Sequence, residues 1–281
     1  MEYKEKDYNY TPEEKRDYWE VSIGLQDTDN LKPSKYLLDL ANDNITGKIS
    51  VEEISLALKE YYKKYPEESV NTEEADYSSL RINEYLQTAD FNLHPMQLNS
   101  IHSYIFSDRP EFNPGEYRTV NLSKAEPTLN GSSVVYQDFR DISNFMKYDI
   151  DIEKQKNYVD MSDLQRIESF ESFISGIWKT HPFREGNTRS IAVFSILYLR
   201  YLGFNTDNEP FKNHSKYFRA ALVRASYSNV LMEVSQNHSF LQKWFDGIMF
   251  GNKHSYNIED LIVPQMFLDI NKSEEKKETH R

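Results

Sequence analysis

The sequence predicts a mainly α-helical protein with one inserted β-hairpin and a helical region ahead of its main body. Three capping-box patterns, beginning at Thr11, Ser50 and Ser162, mark helix starts. After Ser162, apolar residues recur every three or four positions, which is the period of one helix face. Asn130-Gly131 between β-favouring residues predicts the hairpin, because a type I′ turn needs positive φ at both central positions.

The predicted elements follow these signals along the chain. Thr11 precedes Pro-Glu-Glu, and Ser50 precedes an apolar series, so each of them begins a helix. Pro95 is predicted to begin another helix, because proline is favoured at a first helical position. We expect residues 117–137 to form the hairpin. The apolar run of residues 191–199 has the length and pattern of a buried helix.

The domain organisation is predicted from composition. Residues 1–70 are expected to form a helical N-terminal region. Residues 66–78 are acidic and polar, so we interpret residues 71–94 as a linker or a regulatory helix. Residues 95–250 form the predicted main body, and residues 251–281 form a C-terminal tail.

Charge and composition exclude several classes of function. The net charge of −12 disfavours binding to nucleic acid, since an acidic chain is not attracted to phosphate backbones. The absence of cysteine excludes disulfides, thiolate metal sites and a cysteine nucleophile, and it is consistent with a reducing compartment. The first residues show no signal peptide, and no apolar run is long enough to span a membrane. We therefore expect a cytoplasmic protein.

The candidate site is the polar segment 181–189, HPFREGNTR, which leads into the apolar helix. A helix N-terminus offers free backbone amides and a partial positive charge, and is therefore suited to an anion. Gly186 permits close approach to the backbone, Asn187 is a predicted N-cap, and Arg189 can reach a bound phosphate.

Two further residues supply chemistry. Glu185 offers a hard carboxylate suited to Mg²⁺ that arrives with a nucleotide. His181 is a candidate general base, which requires an imidazole within reach of solvent. Each residue has a simpler interpretation: a packed His181, an Asn187 that only caps, and a Glu185–Arg189 surface pair. Together they favour phosphate transfer. Zinc binding by His181 and Glu185 stays open, although no third ligand is indicated by the spacing.

The same residues resemble the signature of the Fic family of Fic/DOC-type protein adenylyltransferases, H-x-F-x-[D/E]-G-N-G/K-R-x-x-R. The likeness extends over about residues 95–230. It includes residues 101–122, which are similar to the family's helix and flap. The resemblance implies a Fic-like helical core with a hairpin flap.

The resemblance also implies an enzyme that transfers AMP from ATP to a Ser, Thr or Tyr hydroxyl of a target protein. His181 would deprotonate the hydroxyl, and Glu185 would bind Mg²⁺. The target protein would dock on the 117–137 flap as an added strand. Phe183 would anchor the loop in the core. The implied nucleotide-binding residues are Phe183, Arg184, Glu185, Gly186, Asn187, Thr188 and Arg189.

The chain departs from the family pattern at two positions. Thr188 stands where glycine or lysine is usual, and Ala192 stands where a second phosphate-binding arginine is expected. Arg184, Lys216, Arg219 and Arg224 are the cations that could replace it.

Two glutamates are candidates for the family's inhibitory residue, and two other functions remain open. Glu84 is the candidate regulatory residue, and Glu259 is a weaker alternative.

A nucleotide-binding regulatory module without transferase activity is the main alternative function. Removal of AMP, or transfer of another phosphate-bearing group, is the other.

Overall fold

Residues 10–264 of this computed structural model are described, and within that range the chain forms helices and loops without strands. Helix accounts for 66% of the fold, in twelve α-helices. A 3₁₀ helix, Leu25–Asp29, follows the first of them. The α-helices are α1 (Pro12–Gly24), α2 (Lys35–Ile45), α3 (Val51–Lys64), α4 (Pro66–Glu68), α5 (Glu74–Thr88), α6 (Gln97–Ile105), α7 (Ile142–Glu153), α8 (Asp163–Thr180), α9 (Asn187–Tyr201), α10 (Glu209–Asn213), α11 (Ser215–Ser226) and α12 (Ser239–Phe250).

The helix starts are set by local chemistry. Capping boxes form at Thr11, Ser50 and Ser162. In each, the hydroxyl accepts from the backbone amide of the third helical residue, whose side chain accepts from the backbone amide of the capping residue. All three predicted starts are therefore confirmed. The helix expected at Pro95 begins two residues later, at Gln97. Most of the predicted C-terminal tail, residues 265–281, lies outside the described residues.

Helix α9 lies at the centre of the main hydrophobic cluster. The side chains of residues 191–199 are all at most 4% exposed, so the helix is covered on every side. Helices α8, α11 and α12 contribute Trp178, Phe218 and Trp244 to this cluster. Burial of such large side chains is the main favourable term in folding. Helix α9, which follows the motif loop of the candidate site, is therefore held in place by the core.

A second cluster is formed by the N-terminal helices around Trp19, Leu37 and Ile54. Helix α5 belongs to both clusters, because Leu80 packs into the second and Ile82 into the first. The N-terminal region is thus packed against the main body along α5.

Residues 66–78, whose composition suggested a linker, form no open connection in the structure. The segment is helical and continues into α5. Asp76 is fully buried and accepts hydrogen bonds from the Ser34 hydroxyl at 2.5 Å and the Tyr62 hydroxyl at 2.6 Å. Asp76 suggested a linker because it is polar, but hydrogen bonds from residues distant in the sequence allow it to be buried.

The prediction of a β-hairpin at residues 117–137 is also wrong, although its turn is correct. Asn130 and Gly131 both have positive φ, at 51° and 88°. The arms pair elsewhere: the amide of Arg118 donates to Pro182 O at 2.8 Å, and that of Gln137 donates to Lys179 O at 3.4 Å. The Arg118 side chain lies between the arms and donates to the Gln137 carbonyl of one and to the Val120 carbonyl of the other at 2.7 Å. We call residues 117–137 the flap segment below.

No helix among residues 10–264 has the length and apolar character needed to cross a membrane.

Candidate active site

His181 lies where α8 ends and the motif loop begins. Its backbone is left-handed, with φ 49° and ψ 59°, and its amide donates to Trp178 O at 2.9 Å. This conformation is unfavourable for a residue with a Cβ. Arg118 holds it in place, because Nε donates to His181 O at 2.8 Å and Nη2 donates to Thr180 O at 3.4 Å.

Phe183 and Asn187 lock the loop internally. Phe183 is fully buried, as the anchoring role implies, and its ring stacks on His102 with the centroids 3.8 Å apart. Asn187 accepts from Phe183 N at 2.9 Å and donates to Phe183 O at 2.8 Å. Both ends of its amide are therefore used to close the loop. Gly186, and not Asn187 as predicted, is the N-cap of α9.

Gly186 is required for two reasons. Its φ is 72°, which favours glycine, and an added Cβ would lie 2.2 Å from Cε2 of Phe106. We predicted that a ligand would approach the backbone at Gly186. In the structure the Phe106 ring lies against that backbone instead. Thr188 is buried, and its hydroxyl accepts from the Trp178 indole at 3.1 Å, so this departure from the family pattern has a packing role.

The first backbone amides of α9 lack a partner within the helix. The first intrahelical bond is donated by Ser190 N to Gly186 O at 3.0 Å. The amides of Asn187, Thr188 and Arg189 therefore have no partner within the helix. Their dipoles add to the positive end of a fifteen-residue helix.

The imidazole of His181 is not open to solvent, contrary to expectation. The residue is 6% exposed, its ring stacks on Tyr136 with the centroids 3.9 Å apart, and Nδ1 is buried without a hydrogen-bond partner. Burial, followed by the positive charges of Lys124, Arg219 and Arg118, lowers its pKa to about 3. The ring is therefore neutral at pH 7, which is the form a general base needs.

His102 is a second neutral imidazole beside the loop. Its Nδ1 accepts from Gly115 N at 2.9 Å, so the proton is on Nε2, which donates to Glu185 O at 3.1 Å. Burial is the main cause that lowers its pKa to about 4. His102 thus holds the backbone carbonyl of Glu185, the residue predicted to bind the metal.

We expect acid to destabilise the protein through these two histidines. Below about pH 6.5 the unfolded chain binds protons at both imidazoles while the folded chain does not. Stability is therefore lost as the pH falls from about 6.5 towards about 4. Thermal unfolding at pH 7.5 and pH 5 should show a smaller loss for His102→Gln than for the unmodified protein. An equal loss in both would contradict this assignment.

A cavity of about 630 Å³ opens beside the start of α9. Glu185 and Arg189 line it, while His181 lies outside the lining. Residues of the 3₁₀ helix, α5, the flap segment and α11 also line it. Its charged lining residues are Asp29, Glu74, Lys124, Glu126, Glu185, Arg189, Lys216 and Arg219.

Arg189 faces this cavity but is held by acidic residues of the N-terminal region. The side chain is 2% exposed. Its Nη2 donates to Glu74 Oε1 at 2.7 Å, its Nη1 donates to Gln26 Oε1 at 3.2 Å, and its Nε lies 3.0 Å from Asp29 Oδ2. The guanidinium also lies 4.8 Å from the centroid of the Phe106 ring.

Arg219 of α11 is the second arginine of the cavity. It donates to Asp29 Oδ1 and Glu126 Oε1, both at 2.7 Å. Burial opposes the ionisation of Asp29. The charges of Arg189, Arg219 and Lys124 together outweigh that effect and hold the pKa of Asp29 below its ordinary value.

The remaining candidates are placed as follows. Arg184 and Glu185 are exposed, and Ala192 is fully buried. Glu84 lies away from the cavity and pairs with Arg81 at 3.3 Å. Ten residues separate Glu84 from Glu74 along α5, so the two lie about 15 Å apart along that helix. Glu259 is exposed on a 3₁₀ turn.

The side chains around the cavity suit a metal ion that arrives bound to a nucleotide. They do not form a site for a permanently bound ion. Among residues 10–264, no group of three or more His, Asp or Glu side chains could hold a metal. Glu185 supplies one exposed carboxylate on the cavity, and Mg²⁺ often takes one or two carboxylates plus substrate phosphates. The zinc alternative gains no third ligand.

Sequence reasoning missed several residues of the site. Asp29, Glu74 and Glu126 belong to no motif of the sequence, and Arg118 and His102 lie within residues 101–122 but were given no role of their own. Lys216 and Arg219 were predicted only as members of a set of cations. No local signal distinguishes residues whose partners lie about a hundred positions away, as Glu74 and Arg189 do.

The geometry defines a helical protein with a charged cavity at the N-terminus of a buried helix, a class suited to phosphate-bearing ligands. Residues 92–199 match the Fic/DOC family. No curated protein and no solved structure matches the chain significantly. This match is consistent with a Fic family protein, and members of that family are typically transferases of AMP or related phosphate groups.

Proposed function

We propose that this protein transfers AMP from ATP to a Ser, Thr or Tyr hydroxyl of a target protein. The observation that carries the proposal is the position of Glu185 and Arg189 on one cavity at the free amides of α9, within the Fic/DOC family domain. The match of residues 92–199 to the family supports the broader class of phosphate-group transfer. The AMP donor and the protein acceptor are our inference.

The proposed mechanism assigns one task to each group. The amides that begin α9 bind the α-phosphate, and Arg189 binds the phosphate that leaves. Glu185 would hold Mg²⁺, which neutralises phosphate charge when it is bound. The neutral His181 accepts the hydroxyl proton as the acceptor oxygen attacks phosphorus, and pyrophosphate leaves.

Use of His181 requires a change from the free state. The Tyr136 ring covers the imidazole, and Tyr136 belongs to the flap segment. Docking of a target on the flap would move that ring and open a path to the base. Negative phosphates close to the imidazole would also raise its pKa, because they favour the charged form. The base would therefore become stronger when the nucleotide is bound.

The second candidate function is a nucleotide-binding regulatory module without transferase activity. Two observations favour it: His181 is buried away from the cavity, and Ala192 offers no second cation on α9. The retained imidazole favours the enzyme, because binding alone needs no base.

The test is incubation with α-³²P-ATP and Mg²⁺, with and without a cell lysate. We expect label on protein from α-³²P-ATP and none from γ-³²P-ATP. ATP binding without label in any fraction would favour the regulatory module. Label from γ-³²P-ATP would instead indicate transfer of the terminal phosphate.

A further inference from the structure

Residues 251–263 leave the end of α12 and run back over α12 and α11 to the flap segment, and we call them the C-terminal strap. Asn252 of the strap donates to Asp246 Oδ1 of α12 at 2.9 Å. The 3₁₀ turn Ile258–Leu261 packs on α11. The strap therefore joins two core helices to the flap segment, and it lies beyond residues 92–199, which match the family.

The last residue of the strap is bonded to the turn of the flap segment, residues 127–131, which we call the flap turn. Val263 N donates to Thr128 O at 2.9 Å, and Asn130 Nδ2 donates to Val263 O at 2.7 Å. Thr128 and Ile258 both line the cavity at the start of α9. The strap therefore supplies one part of the cavity wall and holds a second part by hydrogen bonds.

Tyr256 anchors the middle of the strap in an aromatic cluster. Its ring centroid lies 5.0 Å from that of Tyr217 and 5.1 Å from that of Trp244, and the His214 ring is 5.2 Å away. On the α12 side, a Cβ added at Gly247 would lie 2.2 Å from the Tyr256 hydroxyl. Glycine inside a helix costs stability relative to alanine, and here it makes room for that hydroxyl.

We propose that Tyr256 is a positioning residue for the cavity. Its contact at Gly247 sets the place of the strap, and the strap in turn sets the places of Ile258 and of the flap turn. Tyr256 lies outside the residues that line the cavity, so its effect passes through the strap. The inference rests on the proposed function, because the ligand is taken to be ATP and the flap segment to receive the target protein.

Gly247→Ala opens the anchor and is the first test. The new methyl group needs the space of the Tyr256 hydroxyl, and the ring is packed against Tyr217 and Trp244, so the whole ring is displaced and the strap with it. Hydrogen exchange, followed by mass spectrometry on the full chain, should become about tenfold faster in the flap turn, which loses its two bonds to Val263. Calorimetric ATP affinity should fall about fivefold, because Ile258 loses part of its apolar contact with the ligand.

Gly247→Ala/Tyr256→Phe is the rescue variant. It removes the oxygen that the methyl group displaces, and this hydroxyl makes no hydrogen bond within residues 10–264, so no bond is lost with it. The nearest remaining atom to the new Cβ is Asn252 O, at 3.3 Å. We expect the exchange rates and the ATP affinity to return to those of the unmodified protein.

Gly176→Ala is the matched control. Gly176 also lies inside a helix, α8, and an added Cβ there meets only Asp149 Oδ2, at 3.6 Å, which is an ordinary contact. This substitution should change neither the exchange of the flap turn nor the ATP affinity.

Asn130→Gly opens the strap at its other end. Glycine accepts the φ of 51° at this position, so the turn is kept and the bond from Asn130 Nδ2 to Val263 O is removed. We expect faster exchange of the flap turn, as in Gly247→Ala, while the exchange of α12 stays unchanged.

The exchange measurement decides the inference without reference to catalysis. Slow exchange of the flap turn in folded Gly247→Ala, or fast exchange that the rescue variant keeps, would overturn the role of Tyr256. Should Gly247→Ala fail to unfold cooperatively, unchanged exchange in Asn130→Gly would overturn the link between strap and flap turn.

The transfer assay separates this inference from the proposed function. Where label is transferred from α-³²P-ATP, Gly247→Ala should raise the KM for ATP and leave kcat unchanged, because Tyr256 touches no reacting group. A lower kcat with an unchanged KM would contradict a positioning role. The expected exchange pattern without label transfer in any variant would support the role of Tyr256 and reject the transferase.

Discussion

Replacing His181 with alanine is expected to reduce transfer of label from α-³²P-ATP by about 10²–10⁴-fold, the usual contribution of general acid–base catalysis. ATP affinity should change by less than about twofold, because the imidazole lies outside the cavity that holds the proposed phosphate-binding groups. The expected effect is therefore on the rate of transfer and not on binding. Label transfer and calorimetric ATP binding should be measured on the same preparation.

His94→Ala is the matched control for this prediction. His94 is exposed and accepts one hydrogen bond, from Met96 N at 3.1 Å, on the loop before α6. It should transfer label at the rate of the unmodified protein. If His181→Ala keeps more than about a tenth of that rate, the imidazole is not the base. Loss of ATP binding in His181→Ala would instead show that the substitution disturbs the motif loop.

Gly186→Ala is expected to lower the free energy of unfolding by about 3 kcal/mol or more and to abolish nucleotide binding. A Cβ at a φ of 72° costs about 1 kcal/mol by itself, and its 2.2 Å approach to Phe106 adds the cost of overpacking a rigid core. The loop would shift, and the amides that begin α9 would shift with it. Denaturant unfolding and ATP titration measure the two effects.

Gly203→Ala separates the two contributions. Gly203 has a φ of 89°, and an added Cβ there would meet no atom within 4 Å. It should lose only the backbone term of about 1 kcal/mol and bind ATP normally. Truncating the obstructing ring, in Gly186→Ala/Phe106→Ala, should recover nucleotide binding relative to Gly186→Ala. Equal losses for Gly186→Ala and Gly203→Ala would contradict the proposed contact with Phe106.

The helical part of the fold was predictable because its signals are local. A capping box joins residues three apart, so Thr11, Ser50 and Ser162 mark the starts of α1, α3 and α8 without knowledge of their surroundings. The positive φ of Asn130 and Gly131 was predictable for the same reason. The motif loop could likewise be placed before a buried helix.

The flap segment shows why the rest could not be predicted. A turn residue determines that the chain reverses, but pairing of the arms depends on what lies between them. Here the long side chain of Arg118 fills that space and binds carbonyls of both arms and of the motif loop. Nothing near Arg118 in the sequence indicates a buried arginine with carbonyl partners.

The candidate site has the same limit. Residues 181–189 indicate the kinds of group present, since each type has an ordinary role in phosphate chemistry. The sequence does not show that Tyr136 covers His181, or that Asp29 and Glu74 hold Arg189. Those contacts join residues that are distant along the chain. The state of the site, closed and internally paired, is therefore a property of the tertiary fold.

The central claim is that the amides at the start of α9, together with Arg189, bind the phosphates of a nucleotide. A crystal structure with a non-hydrolysable ATP analogue and Mg²⁺ tests it most directly. We predict a phosphate within hydrogen-bond distance of the amides of residues 187–189, with Glu185 beside the metal. A structure obtained at saturating nucleotide in which these amides contact no phosphate would contradict the account.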